Sequence, residues 1–280
     1  MSAVAAGQGV ILALGGHEFS RRRGNEAIVD YMLALVERER PRICLLPTAS
    51  GDAAEQIAAF RSSLGDRDCE LSDLSLFRLE SSPVAVSDHL LAQDMIYVGG
   101  GSMVNLLAIW RAHRIDRILV EASRRGVVLC GQSAGAMCWF DTGISRSVGL
   151  AKAVAGLGVI GGALSVHYHR DPDRRLALLE LVRERGGRAY GVDDGAGLVI
   201  RGGAVRAAIS GIDAAGVWMV ERTADGEVDE RPVETALLPA PREPIDQTRA
   251  DVAELRRVLA NRLGGRRSSA AAWSRRRPGS

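Results

Sequence analysis

Short, continuous apolar runs alternate with longer segments of helical period along the first half of the chain. The apolar runs lie at 10–14, 43–46, 95–98 and 127–130. The segments with helical spacing follow them, at 25–36, 53–64, 104–111 and 115–122. Continuous apolar strands that are each followed by a helix are typical of a parallel sheet covered on both faces. The sequence therefore predicts a three-layer, doubly wound α/β fold with a mostly parallel sheet.

The second half of the chain changes to β-like segments. They lie at 163–168, 189–192, 197–200, 205–210 and 217–220, and one charged helical segment at 174–185 interrupts them. We expect these segments to extend the sheet with antiparallel strands. From residue 238 onward Pro and Arg accumulate, as in segments that form no packed core. The predicted organisation is one α/β domain at 1–240, a helical extension at 241–264 and a disordered basic tail at 265–280.

Charge and hydropathy restrict the partners of this chain. Its 36 Lys and Arg residues nearly balance its 34 Asp and Glu residues, so there is no overall field to attract nucleic acid or an anionic membrane. No apolar run approaches the roughly 20 residues of a membrane span, and the first residues lack a basic segment ahead of a long apolar one. We expect a cytoplasmic monomer or homodimer with no nucleic-acid or membrane partner.

The four cysteines, Cys44, Cys69, Cys130 and Cys138, show no C-x-x-C spacing. Three of them lie in apolar surroundings, which favours reduced side chains that serve only packing. Cys130 and Cys138 flank the serine segment described next, so a redox role is the alternative for these two.

The segment Gly131-Gln132-Ser133-Ala134-Gly135 directly follows an apolar run and leads into a helix-compatible stretch. This context is typical of a nucleophile elbow, in which a serine on a tight strand-to-helix turn projects its Oγ into a cleft. The N–H of the next residue, Ala134, then contributes to an oxyanion hole. The alternative is an ordinary glycine turn. The strand on one side and the helix on the other favour a nucleophilic serine.

Three further loops follow predicted strands, at 15–17, 47–51 and 99–102. The carboxyl ends of parallel strands meet at one edge of a sheet, where the ligands of such folds bind. We therefore expect these loops to converge on Ser133. Gly100 or Gly101, in a run of three glycines, is the predicted second oxyanion donor, because a glycine loop can approach the reacting oxygen closely.

A nucleophilic serine needs a base, and the base needs a third group that fixes its tautomer. His167 and His169 end a predicted strand and share a face of it unless the strand ends between them. His167 is the predicted base, because His169 already belongs to a polar loop; His169 as the base is the alternative. His17 follows a glycine pair and could line the cleft, whereas His89 and His113 have the charged helical context of surface residues.

The same segment contains the spacing of a metal site, formed by His167, His169, Asp171 and Asp173. No further ligand motif accompanies these four residues, and a serine nucleophile needs no metal. The sequence therefore predicts neither a metal nor an organic cofactor.

The orienting carboxylate is expected at the end of another short apolar run, in Gly191-Val192-Asp193-Asp194-Gly195. Asp194 is the predicted residue and Asp193 is the alternative, although the same residues are also an ordinary turn signal. The resulting order along the chain is Ser133, His167, Asp194. This order differs from the serine, acid, histidine order of α/β-hydrolases and argues against a lipase or esterase.

These motifs, in this order, resemble those of the aspartyl dipeptidase (peptidase E) group of serine peptidases. Cyanophycinase and, more remotely, class I glutamine amidotransferases are relatives of that group. The similarity covers about residues 10–220, and its matching elements are Gly15-Gly16 with Phe19-Ser20, Leu46-Pro47-Thr48-Ala49-Ser50, Tyr97-Val98-Gly99-Gly100-Gly101, Leu106 with Trp110-Arg111, Gly131-Gln132-Ser133-Ala134-Gly135-Ala136, the histidine segment and Gly191-Val192-Asp193-Asp194-Gly195. Ser102 stands where the group often has Asn, and Asp194 where it often has Glu.

The resemblance implies a flavodoxin-like or class I glutamine amidotransferase-like fold with a metal-free triad of serine, histidine and an acid. It also implies hydrolysis of small peptides, namely dipeptides with an N-terminal aspartate. Arg174 is then the cation that binds the aspartyl carboxylate, and Arg175 is the alternative. A further alternative is that these arginines lie on a solvent-exposed helix face and bind no substrate. Ser102 and His169 are further expected substrate contacts. The alternatives are a cyanophycinase-like or other acyl hydrolase, and a catalytically inactive binding protein.

Overall fold

The computed structural model describes residues 9–16, 23–79 and 85–239. His17, the predicted helical extension at 241–264 and the predicted tail at 265–280 lie outside these residues. Within them, the strands are β1 (Val10–Leu14), β2 (Arg42–Leu46), β3 (Glu70–Asp73), β4 (Met95–Val98), β5 (Val128–Gln132), β6 (Phe140–Ser145), β7 (Lys152–Ala155), β8 (Ile160–Val166), β9 (Arg188–Val192), β10 (Ala196–Arg201), β11 (Ala204–Ser210), β12 (Val217–Arg222), β13 (Val228–Val233) and β14 (Thr235–Leu237). The α-helices are α1 (Arg23–Ala34), α2 (Ala54–Leu64), α3 (Val86–Leu91), α4 (Met103–His113), α5 (Ile115–Arg124), α6 (Ala134–Met137) and α7 (Pro172–Arg185), and a 3₁₀ turn covers Thr48–Ser50.

The first sheet contains eight strands in the order β14-β11-β10-β1-β5-β4-β2-β3. Five neighbouring strands of this sheet are parallel to one another, namely β1, β5, β4, β2 and β3. β10 pairs antiparallel with β1, and β11 antiparallel with β10. The prediction of a doubly wound, mostly parallel sheet with added antiparallel strands from the second half of the chain is therefore confirmed.

A second sheet contains six strands in the order β13-β12-β9-β8-β6-β7. It takes three of the segments that were expected to extend the first sheet, β8, β9 and β12, so that part of the prediction was wrong. β8 instead pairs in parallel with β6 and with β9. The apolar pattern of these segments specifies that they are buried but not which strand lies beside them, and β6 was not predicted at all.

Side chains of β1 point alternately to the two faces of the first sheet. Leu12 and Leu14 lie in a buried cluster with Ile28 of α1 and Phe60 of α2, so these two helices cover one face. Each large apolar side chain that is fully buried in this way stabilises the folded state by about 1.5–3 kcal/mol relative to an exposed one.

The opposite face of the first sheet is covered by helices and by the second sheet. Ile11 of β1 lies in one cluster with Leu106 of α4, Leu119 of α5, Phe140 of β6 and Leu164 of β8. The other face of the second sheet packs on α7. The chain after β1 of the first sheet meets the chain after β9 of the second sheet, where Gly16 and Asp194 form a parallel bridge, and the site described next lies there.

Among the described residues, no helix has both the length and the apolar character needed to cross a membrane.

Candidate active site

Ser133 stands alone between the end of β5 at Gln132 and the start of α6 at Ala134. Its backbone has φ +50° and ψ −113°, a conformation that residues with a side chain rarely adopt and that persists only where surrounding structure enforces it. The N–H of Ser133 donates to the carbonyl of Leu14, at 3.1 Å. This is the strained strand-to-helix turn that the sequence pattern indicates.

The two glycines that flank the serine are required by close packing of the backbone. A Cβ atom on Gly131 would lie 2.2 Å from the carbonyl oxygen of Gly135, and one on Gly135 would lie 2.3 Å from the carbonyl oxygen of Val98. Both distances are far below van der Waals contact. The turn can therefore form only with glycine at both positions.

His167 follows directly after the last residue of β8 and has φ +55°. Its Nε2 lies 3.0 Å from the Oγ of Ser133. Because the strand ends before His167, the rule that residues two apart share a face does not extend to His169. The two histidines diverge, and only His167 contacts the serine.

Asp194 lies two residues beyond β9 and accepts a hydrogen bond on its Oδ1 from the Nδ1 of His167. The structure thus brings Ser133, His167 and Asp194 together in one hydrogen-bonded row. Burial on its own would raise the pKa of Asp194, but hydrogen bonds from His167 and Arg170 outweigh it and hold that pKa below its ordinary value. The carboxyl group is therefore ionised at neutral pH.

Asp193 forms a second pair with the other histidine. Its buried carboxylate accepts from the backbone N–H of His169 at 3.0 Å, from the Nδ1 of His169 at 3.1 Å and from the N–H of Gly216 at 3.3 Å. The His169 ring also packs edge-on against Trp218, with ring centres 4.1 Å apart. Asp193 thus ties the histidine loop to the end of β9 and to the loop before β12.

Gly100 lies beside the nucleophile, since a Cβ atom at this position would stand 3.4 Å from the Cβ of Ser133. Its carbonyl accepts from the Nε2 of Gln56 at 3.3 Å. A trans peptide points its C=O and N–H in opposite directions, so Gln56 also sets the direction of the Gly101 N–H. Gln56 lies on α2, and nothing in its helical sequence context indicated this role.

The N–H of Ala134 opens α6 and so has no acceptor within that helix. Neither this N–H nor that of Gly100 donates a backbone hydrogen bond within residues 9–16, 23–79 and 85–239. Ala134 follows Ser133 in the sequence, and Gly100 contacts Ser133 in space. The N–H groups of both residues are therefore available to an oxygen atom next to Ser133.

Ser102 has a structural contact that the sequence analysis did not anticipate. Its Oγ accepts from the N–H of Asn105, at 3.2 Å, and so caps the N-terminus of α4. Such a cap typically contributes about 1 kcal/mol to stability.

Arg174 does not belong to a solvated helix face. Its side chain is 10% exposed, its Nε donates to Asp171 at 3.1 Å, and its Nη1 donates to the carbonyl of Ile144 at 2.7 Å. Burial lowers the pKa of Arg174, while Asp171 opposes this effect. The neighbouring Arg175 is turned to Glu230, to which it donates from both Nε and Nη2.

The four residues of the alternative metal site are not assembled. Asp171 and Asp173 bind Arg146 instead, which donates to each of them at 2.6 Å. Across the described ranges no three or more His, Cys, Asp or Glu side chains form a group that could hold a metal ion.

The thiols near the elbow are buried. Burial raises the pKa of both Cys130 and Cys138, as it raises that of Cys44 to about 12. A thiol in this state is not the thiolate that redox or nucleophilic chemistry requires.

Comparison with known proteins identifies the family. The model of peptidase family S51 matches residues 11–208. The chain belongs to peptidase family S51. It is therefore a peptidase, and its resemblance to the peptidase E group is confirmed.

One curated relative of this S51 peptidase is the uncharacterised peptidase YgaJ of Bacillus subtilis strain 168. The two are 42% identical over 189 residues, which cover 67% of this chain and 81% of the relative. Its name supports a peptidase and specifies no substrate.

Two solved structures share the fold of this S51 peptidase. One is a candidate peptidase E from Listeria monocytogenes EGD-e, with a TM-score of 0.54, 18% identity, and coverage of 71% of this chain and 96% of that one. The other is a peptidase from an acI-B1 Actinobacterium, with a TM-score of 0.58, 17% identity, and coverage of 85% and 98%.

Proposed function

We propose that this S51 peptidase is a serine exopeptidase that hydrolyses short peptides, and dipeptides with an N-terminal aspartate in particular. One observation carries the proposal. Ser133, on a strained turn between strand and helix, has its Oγ 3.0 Å from the Nε2 of a histidine whose other ring nitrogen is bound by a carboxylate. This is the arrangement that activates a serine for acyl transfer.

In the proposed reaction, the Oγ of Ser133 attacks the carbonyl carbon of the scissile peptide bond while the Nε2 of His167 takes the hydroxyl proton. Asp194 keeps the proton of His167 on Nδ1 and stabilises the imidazolium that forms. When the C–N bond breaks, His167 gives its proton to the leaving amine. Water then attacks the acyl-enzyme with His167 again as the base, which releases the acid and restores the serine.

Charge on the reacting oxygen would be met by the N–H groups of Ala134 and of Gly100 or Gly101. These donors are backbone groups in a tightly packed turn and a glycine loop, so they need little reorganisation as the charge develops. Loss of one such donor typically costs about 100- to 1000-fold in kcat. Gln56 supports this arrangement because it fixes the carbonyl of Gly100.

Arg174 is the proposed partner of the substrate aspartyl carboxylate. Asp171 and the carbonyl of Ile144 hold its Nε and Nη1, and no hydrogen bond to its Nη2 is seen within the described residues. Its Nη1 approaches the Sδ of Met137 at 4.0 Å, on the short helix that begins after Ser133, and its guanidinium interacts electrostatically with Asp194. A guanidinium that is already immobilised loses little entropy when it binds a carboxylate.

The test combines labelling with hydrolysis. Wild type, Ser133→Ala and the matched control Ser62→Ala, which alters an exposed serine of α2, are treated with a fluorophosphonate probe. They are then assayed on Asp-X, Asn-X and Leu-X dipeptides, each with a free and a blocked N-terminus. We expect labelling of wild type and of Ser62→Ala but not of Ser133→Ala, together with cleavage of free Asp-X dipeptides that is lost in Ser133→Ala alone.

Other outcomes separate the alternatives. Labelling at Ser133 without cleavage of any dipeptide would indicate a different acyl hydrolase, such as one that acts on cyanophycin. A folded wild type that is neither labelled nor active on any substrate would contradict the serine peptidase proposal and favour a binding protein.

A further inference from the structure

Arg170 binds Asp194, at the end of the hydrogen-bonded row that lies away from Ser133. Its Nη1 donates to the Oδ2 of Asp194 at 3.1 Å, while the Oδ1 of the same carboxylate accepts from His167. Ser133, His167, Asp194 and Arg170 therefore form one continuous chain of hydrogen bonds. Nothing in the sequence pattern singled out Arg170, which follows the two histidines in a polar loop.

The carboxylate of Asp194 needs a second anchor. Its side chain is 32% exposed, so water competes for any oxygen atom that the protein leaves unbound. A carboxylate held through one oxygen can rotate about its Cβ–Cγ bond, whereas a carboxylate held through both oxygens cannot rotate without breaking a hydrogen bond. Arg170 supplies the one side-chain hydrogen bond to Oδ2 within the part of the chain that the structure describes.

The other charged groups around Asp194 are engaged elsewhere. Arg174 interacts with Asp194 only through space, because Asp171 and the carbonyl of Ile144 hold its guanidinium. Asp193, the adjacent carboxylate, binds His169. Arg174 therefore cannot take over the hydrogen bond that Arg170 makes, and the carboxylate of Asp193 accepts hydrogen bonds rather than donating them.

We propose that Arg170 is a positioning residue, which acts through Asp194 to keep the imidazole of His167 aimed at Ser133. This inference rests on the proposed serine mechanism and deepens it. Arg170 has no part in binding the substrate, so its loss slows the chemical step equally for every peptide. Its side chain is 77% exposed, and its replacement should leave the fold intact.

The experiment compares wild type, Arg170→Gln, Arg170→Lys and the matched control Arg201→Gln. Arg201 is an exposed arginine that pairs with Val10, at the opposite end of β1 from the site. The rate of labelling by a fluorophosphonate, and kcat and KM on Asp-X and Leu-X dipeptides, are measured. We expect Arg170→Gln to lower the labelling rate and kcat by about tenfold, with KM unchanged, Arg170→Lys to recover most of the loss, and Arg201→Gln to match wild type.

Two results would overturn the inference while leaving the proposed function intact. One is an unchanged labelling rate in Arg170→Gln. The other is a rise in KM confined to Asp-X, which would make Arg170 a substrate-binding residue. If wild type itself does not label at Ser133, the proposed function fails and the role of Arg170 fails with it. A melting temperature within about 2 °C of wild type shows that a change is not due to misfolding.

Discussion

Gly16 lies so close to Asp194 that a Cβ atom at position 16 would stand 2.1 Å from the Oδ1 of that carboxylate and 2.9 Å from the Cε1 of His167. Gly16 and Asp194 also form a parallel bridge, which joins the chain after β1 to the chain after β9. The two sheets therefore meet at the hydrogen-bonded row of Ser133, His167 and Asp194. The close approach of the two backbones lets an aspartate, with its short side chain, reach the imidazole.

The close contact predicts the effect of Gly16→Ala. The new methyl group must displace the carboxylate of Asp194 or the ring of His167, so we expect kcat to fall by at least about tenfold, since misplacing a catalytic group by about 1 Å can cost about 100-fold. Gly161→Ala is the matched control, because a Cβ there meets its nearest neighbour only at 3.9 Å. Steady-state kinetics of both variants test this, and equal activity in the two would contradict the steric argument.

The sequence predicted the first sheet well because each of its central strands is a continuous apolar run. Strands β1 and β4 begin and end where the pattern placed them. The elbow was equally visible, since strand, glycines and helix are local features. Prediction failed where the partner of a segment is decided by packing, as for β8, β9 and β12, and where a strand such as β7 is largely exposed and carries little apolar signal.

The candidate site shows the same division. Ser133, His167 and the adjacent pair Asp193 and Asp194 could be proposed as candidates from sequence because each follows an apolar strand. The sequence analysis preferred Asp194, but the pattern could not show which aspartate meets His167, because that depends on the strand ending before His167 and on a backbone with φ +55°. Gln56 and Arg170 gave no signal, since each acts through a contact between residues far apart along the chain.

The two adjacent aspartates should respond differently to amide substitution. Asp194→Asn keeps the shape but presents an N–H or a weaker acceptor to His167, so kcat should fall by about 10⁴-fold, as in other triads. Asp193→Asn keeps one acceptor oxygen but replaces the other by an NH2 group, at a buried position where His169 and Gly216 donate to both oxygens, and we expect it to lower the free energy of unfolding by about 1–3 kcal/mol. Kinetics and urea unfolding of both variants test this assignment, and the reverse pattern would assign the orienting role to Asp193.

The ion pairs of Arg146 predict a stability that depends on pH. Hydrogen bonds from Arg146 hold the pKa of Asp171 down at about 2, below the ordinary value of about 3.9. A lowered pKa in the folded state stabilises the protein above the unfolded pKa, and the contribution is lost as the pH falls toward the folded pKa. Arg146→Gln should therefore lower the free energy of unfolding at pH 7, and this loss should shrink progressively between pH 4 and pH 2.

Urea unfolding of wild type, Arg146→Gln and the exposed control Arg206→Gln at pH 7, 4 and 3 measures this difference. Arg206→Gln should match wild type at every pH. A cost of Arg146→Gln that is the same at pH 7 and pH 3 would show that the guanidinium contributes by packing rather than by charge.

The buried thiols should be inert in the native protein. Burial raises the pKa of Cys44, Cys130 and Cys138, and a thiol that is neither ionised nor accessible does not react. Cys69 is only partly buried. At pH 8 a disulfide reagent should modify at most Cys69 in the folded protein and all four thiols in urea, and Cys69→Ser should abolish the native reaction. Modification of Cys130 or Cys138 by the reagent in the folded protein would instead support a redox role for these thiols.

Arg174 and Arg175 are adjacent on α7 and offer a matched pair for testing substrate recognition. Arg174 is held by Asp171 and the carbonyl of Ile144, whereas Arg175 binds Glu230. If Arg174 binds the aspartyl carboxylate, Arg174→Gln should raise KM for Asp-X by at least about tenfold, the value of one charge-assisted hydrogen bond, and leave KM for Asn-X nearly unchanged. Arg175→Gln should alter neither.

Because Arg174 is buried, its replacement also removes a structural ion pair, and the fold must be monitored separately. Arg174→Lys keeps the charge but loses the planar fork, so it should stay folded and show a smaller rise in KM for Asp-X. The ratio of kcat/KM for Asp-X to that for Asn-X is independent of the fraction of folded enzyme, which makes it the decisive measurement. A ratio that is equal in wild type, Arg174→Lys and Arg174→Gln would contradict recognition by Arg174 and assign it a purely structural role.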